Sequence, residues 1–117
     1  METNEIPREL LEAMKRPAPP RPEEIAALER LLKIAQGDTG QSRKVADFLL
    51  SWWNAGSCGG FDMTTLWGVD TAIADDMTAV FGLVARTCSY PDNPPFAYGE
   101  DFRAIVAAWR PELLDND

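Results

Sequence analysis

The stretch RPAPPRP, residues 16 to 22, places four prolines in seven positions. Proline has no amide hydrogen to donate and its ring fixes φ, so this stretch is an extended linker that no helix crosses. It separates an N-terminal arm and linker, residues 1–22, from the body. In a chain of 117 residues the remainder has material for one core, which we place at residues 23–113, followed by a polar tail at 114–117. In the arm, Ile6, Leu10, Leu11 and Met14 recur at helical spacing. A segment so short is marginal alone, which leaves a frayed tail and a helix docked on the body or on a partner as alternatives.

Beyond the linker the apolar residues follow a helical period. PEEIAALERLLKIAQG opens with proline and two glutamates, which suit a first turn, and closes on Gly37 as a left-handed stop. Ile25, Leu28, Leu31, Leu32 and Ala35 share one side of it, opposite Glu29, Arg30 and Lys33. Asp38 or Thr39 can cap a second long helix in which Val45, Phe48, Leu49 and Trp52 form a face. Leu50 and Trp53 widen that face to an arc of about 200° at about 100° per residue, as a central helix would need; Gly56 is its expected end. A third long helix opens at Asp70, with Ile73, Met77, Val80, Phe81 and Val84 as its core seam, Asp75 outward and Asp76 on the flank. On that seam, Phe81→Ala costs about 3–5 kcal/mol. The loop CSYPDNPPFAYGED carries Tyr90, Phe96 and Tyr98 as aromatic clamps, and a last helix buries Phe102, Ile105, Val106 and Trp109 before Pro111 stops it.

Between the second and third long helices lies WWNAGSCGGFDMTTLWGVD, residues 52 to 70. It reads as a corner: glycines permit positive φ in SCGG, Asp62 caps a short helical turn through Thr65 and Leu66, and Trp67 plugs the space. With no convincing strand or internal repeat, the fold class is all-α. The architecture is a small helical bundle of four main helices plus a short connecting helix, with a proline-rich N-terminal arm.

Composition excludes several chemistries. The chain has no histidine, so the usual general base and commonest transition-metal ligand are missing, and Ser-His-Asp, Cys-His and HExxH arrangements are impossible. Cys58 and Cys88 stand thirty positions apart without CxxC spacing, as two reduced thiols of a cytoplasmic protein would. Cys58 lacks a basic neighbour in sequence to make it a nucleophile. The neighbouring carboxylates Asp75 and Asp76 diverge on a helix. No metal, catalytic or cofactor site is assigned. Nineteen acidic against eleven basic residues give a net charge of -8, which repels phosphate backbones and anionic membrane surfaces, and no apolar run is long enough to span a bilayer.

The segments ALERLLKIAQGDTGQSRKVADFLLSWWNAG, CGGFDMTTLWGVD, AIADDMTAVFGLVAR and AWRPEL together resemble an uncharacterised family of small bacterial proteins. Members of that family are encoded on integrative and conjugative elements, plasmids and prophages. The resemblance spans roughly residues 26 to 113 and implies an accessory protein of a mobile genetic element; it carries no assigned site residues. The leading expectation is a non-enzymatic module that binds a protein partner, and modulates or inhibits a host protein, through acids and exposed aromatics. Its candidate surface is Trp53, Asp75, Asp76, Tyr90 and Tyr98. One alternative is a small enzyme or ligand-binding domain using Cys58, Asp62, Asp70 or a pocket beneath Trp67. A DNA-binding regulator is the other, although Arg43 and Lys44 offer few charges for it. The wide arc of the second long helix also admits a homodimer.

Overall fold

The computed structural model describes residues 6–114, with the side chains of residues 12–14 left aside. The expectations for the side chain of Met14 and for tail residues 115–117 lie outside the described residues. Five α-helices follow one another: α1 Arg8–Met14, α2 Pro22–Ala35, α3 Gly40–Cys58, α4 Thr71–Thr87 and α5 Gly99–Trp109. Two 3-10 turns, Met63–Gly68 and Pro111–Leu113, complete them, and no strand occurs among the described residues.

The core is built around α2, which packs against α4, α3 and α5. Ala27, Leu28, Leu31, Leu32 and Ala35 are buried along it, so the predicted stripe holds, with Ile25 half-covered at its edge. α2 rather than α3 therefore takes the central place. The small residues Ala27 and Ala35 leave room for neighbouring backbones, and Trp109 of α5 closes the far end by donating its indole N–H to the Ala35 carbonyl at 2.8 Å. α2 ends through Gln36 in a right-handed conformation, and Gly37 has no positive φ. What requires glycine at 37 is space, because a Cβ there would lie 2.8 Å from Ser42 Oγ.

α3 starts at Thr39, whose hydroxyl accepts the Ser42 amide at 3.0 Å as a cap does. Val45, Ala46, Leu49 and Leu50 are buried and Phe48, Trp52 and Trp53 half-buried, which gives the broad arc. The helix does not stop at Gly56. Its axis breaks at Asn54 (φ -162°, ψ 80°), whose side-chain oxygen caps a further turn by accepting the Ser57 amide at 3.1 Å. The turn ends after Cys58 at Gly59, where φ is 102° and glycine is the residue that fits.

Two large residues stand outside the core the sequence suggests for them. Met77, Val80, Leu83 and Thr87 form the buried face of α4, and Phe81 is 61 % exposed. The real face is rotated towards Leu83, and Thr87 can be buried on it because its hydroxyl bonds the Leu83 carbonyl at 2.9 Å. Trp67 does not plug the corner: it is 85 % exposed, and Phe61, Leu66 and Val69 pack there instead. Asp62 caps its 3-10 turn as expected, accepting the Thr64 amide at 2.9 Å. Asp70 is the N-cap residue of α4, its carbonyl accepting the Ala74 amide at 2.9 Å, but its side chain makes no capping bond; its carboxylate and amide instead meet the two ends of the Gln41 side-chain amide at 3.2 and 2.7 Å. At the other terminus Leu113 and Leu114 pack on the core, so the apolar start of the tail belongs to the body.

The arm is helical over α1, yet Ile6, Leu10 and Leu11 are 43 %, 49 % and 46 % exposed. The linker is fixed more firmly, since the Ala18 amide donates to the Arg86 carbonyl at 2.8 Å.

The rotation of α4 sets up a paired substitution test. Leu83→Ala is expected to lower unfolding free energy by about 3 kcal/mol, as a cavity in the core does. Phe81→Ala is expected to cost less than about 1 kcal/mol, in line with an exposed site. Chemical denaturation of both variants checks the pair, and the reverse order would put Phe81 back in the core.

Candidate functional site

An open groove of about 730 Å³ lies among the described residues where α3 kinks. Three segments meet there. The kink supplies Trp53 and Asn54, the loop after α4 supplies Asp92, and the first turns of α5 supply Glu100, Arg103 and the apolar Val106. Trp53 is half-buried because one edge of its indole rests near Phe102, with ring centroids 6.5 Å apart. Its ring N–H donates to Asp92 Oδ2 at 3.2 Å, which holds the indole at the groove wall. Trp52, one position earlier, turns inward, packs edge-on against Phe96 and Phe102 and donates to the Ser89 carbonyl at 3.1 Å. Consecutive tryptophans thus serve the core and the groove separately, as neighbours about 100° apart on a helix must.

The five candidate surface residues do not form one face. Trp53 lines the groove. Tyr98 lies over a shallower hollow with Glu29 and Asp101, and its hydroxyl donates to Glu29 Oε2 at 3.1 Å. Burial, and then the hydrogen bond to and charge of Glu29, push the Tyr98 phenol up to about 12. Tyr90 is no clamp; it is exposed beside a third hollow with Val84 and Cys88. Asp75 is exposed on α4, whereas Asp76 makes a two-pronged contact with Arg30, both oxygens at 2.9 Å. Asp92, Glu100 and Arg103 carry most of the groove's charge, and nothing in their local spacing marks them as a set.

The residues considered for chemistry have separate partners. Cys58 is buried, and its carbonyl accepts Arg110 Nε at 3.0 Å while Arg110 Nη2 reaches Asp47 Oδ1 at 2.8 Å. Burial pushes the Cys58 thiol up, helped by Glu112 and opposed by the Arg110 charge, so the thiolate a nucleophile needs is disfavoured. Asp62 is held below the usual carboxylate value by the Thr64 hydroxyl and amide. Asp70 is taken up by Gln41. Trp67 lines none of the hollows among the described residues; its neighbour Leu66 helps bound an apolar one of about 140 Å³ with Phe48, Phe61, Met63 and Phe81. Of the basic pair considered for DNA, Lys44 donates to the Gly68 carbonyl at 3.2 Å. Among the described residues, no three Cys, Asp or Glu side chains come together to hold a metal ion, and no helix is long and apolar enough to cross a membrane.

These features define an all-helical domain with an aromatic and charged groove on its surface. The chain belongs to a family of unknown function, DUF7673, whose model matches residues 25–110 and leaves the proline-rich arm outside. No curated protein and no solved structure matches the chain.

Thiol accessibility separates the two cysteines. A chromogenic disulfide reagent is expected to react promptly with Cys88, which is exposed, and with Cys58 only on unfolding. Rapid labelling of both in the native protein would contradict the burial and raised pKa of Cys58.

Proposed function

We propose that this protein is a non-enzymatic interaction module that takes a basic segment of a protein partner into the Trp53 groove. The observation that carries the reading is the composition of that groove: an indole fixed by Asp92, a second carboxylate at Glu100 and an apolar wall at the half-buried Leu113 and Leu114. A lysine or arginine side chain suits such a site, because its stem covers apolar surface while its charge meets carboxylates and the indole face. Arg103 lies one turn from Glu100 and offsets part of the negative charge, so the groove favours isolated basic residues flanked by apolar or acidic ones over a dense basic run. The net charge of -8 draws such a partner in at long range.

The same properties suit an accessory protein of a mobile genetic element that modulates a host protein by occupying a basic surface. An open groove without a converged reactive set supports binding over catalysis. The raised thiol of Cys58 weighs against the enzymatic alternative.

Titration with a peptide of alternating lysine and leucine, followed by calorimetry, tests the reading. Binding is expected to weaken as salt rises, and Trp53→Ala or the pair Asp92→Asn with Glu100→Gln is expected to reduce affinity about tenfold, equivalent to about 1.4 kcal/mol. Cys58→Ala is expected to leave it unchanged. Equal affinity in the groove variants would overturn the assignment of the site.

A further inference from the structure

We propose that two copies of this chain pair about a two-fold axis, with α1 of each copy lying in the apolar hollow of the other. Two uncovered apolar surfaces on the same chain point to this. One is the side of the arm that carries Leu10 and Leu11 of α1 and Ile6 just before it, each close to half exposed. The other is the hollow of about 140 Å³ bounded by Phe48, Phe61, Met63, Leu66, Met77 and Phe81, in which Met63 and Phe81 are each 61 % exposed. An apolar cavity of about 150 Å³ accepts a benzene-sized group, so the hollow has room for one leucine or isoleucine side chain.

The linker sets the direction. The Ala18 amide bonds the Arg86 carbonyl, and Arg16 Nη1 reaches the Ala85 carbonyl at 3.5 Å. Ala85 stands four residues after Phe81, on the same ridge of α4 and about 6 Å along its axis. The arm therefore leaves the body at the end of the ridge that borders the hollow. Within one chain its apolar side nevertheless remains uncovered, and the molecule is drawn out to 61 Å against 33 and 24 Å. A two-fold partner presents a second hollow beside the first arm, and the exchange covers both surfaces twice in a closed pair.

Charge permits the exchange. Residues 1–22 contain four basic and four acidic residues, leaving seven basic and fifteen acidic in the rest of the chain. All the net charge of -8 thus lies beyond the linker, where two copies repel each other. A neutral arm crosses between the two copies without adding to that repulsion. Trp53 and Asp92 take no part, so loss of pairing and loss of peptide binding are separate outcomes.

Analytical ultracentrifugation of the full chain at high micromolar concentration is the test. A mass of twice 13.0 kDa is expected. Leu10→Asp with Leu11→Asp should give monomers, and so should Phe81→Asp; both sites are exposed, so helical circular dichroism should be retained, and Met63→Asp serves as a second hollow variant. Mixing an arm variant with a hollow variant should restore a hetero-pair, because the intact arm of one fits the intact hollow of the other. A monomeric wild type, a dimer indifferent to these substitutions, or the absence of the hetero-pair would overturn the proposal.

Discussion

The ion pair between Glu24 and Arg86 is the point at which three parts of the chain are tied. One Glu24 oxygen accepts the Arg21 amide at 2.9 Å and closes the first turn of α2; the other accepts the Arg86 guanidinium at the last turn of α4. The Arg86 carbonyl in turn accepts the Ala18 amide, so the linker passes over the same spot. Glu24 is almost fully buried, with 7 % of its side chain exposed, against 22 % for Arg86. A buried carboxylate without its partner is strongly unfavourable, which fixes the relative position of α2 and α4 and the direction in which the arm departs. The groove is held at the other end by analogous means, through the bonds of Arg110 to Asp47 and to the Cys58 carbonyl.

Much of the helical order was legible in the sequence because amphipathic period and punctuation agree. Pro22 begins α2, Thr39 caps α3, and the faces of α2 and α5 fall where the apolar residues recur. The face of α4 was harder to read. Met77 and Val80 belong both to the seam that includes Phe81 and to the one that includes Leu83, and the second also contains a polar Thr87. A preference for burying the larger residue selects Phe81. Burial of large apolar residues is a tendency with many exceptions, and Phe81 and Trp67 are both exceptions here.

The candidate site was legible only at Trp53, whose place at the edge of an apolar arc was visible from spacing along one helix. Its neighbours Asp92, Glu100 and Arg103 come from other segments and acquire meaning only when the kink at Asn54 turns α3 towards α5. Asn54 itself carries a recognisable signal, since a side chain that accepts the amide three residues on is a helix cap within a helix. The apolar hollow likewise joins α3, the corner and α4, while the arm that would cover its counterpart in a second copy lies beyond the proline linker.

The account places the organising contact at Glu24 and Arg86, and the pH dependence of stability measures that contact directly. Burial tends to raise the Glu24 carboxyl, but the Arg86 bond, the Arg21 amide and both guanidinium charges outweigh it and hold the pKa below the ordinary 4.5. The unfolded chain therefore takes up the proton first as pH falls, and the stabilisation, present above the unfolded value, is lost through the lower folded one. Denaturation of the wild type and Glu24→Gln across pH should show a difference of about 2 kcal/mol at neutral pH that shrinks below about pH 4. A difference near zero at neutral pH, or one that persists unchanged into acid, would contradict the central place given to this pair.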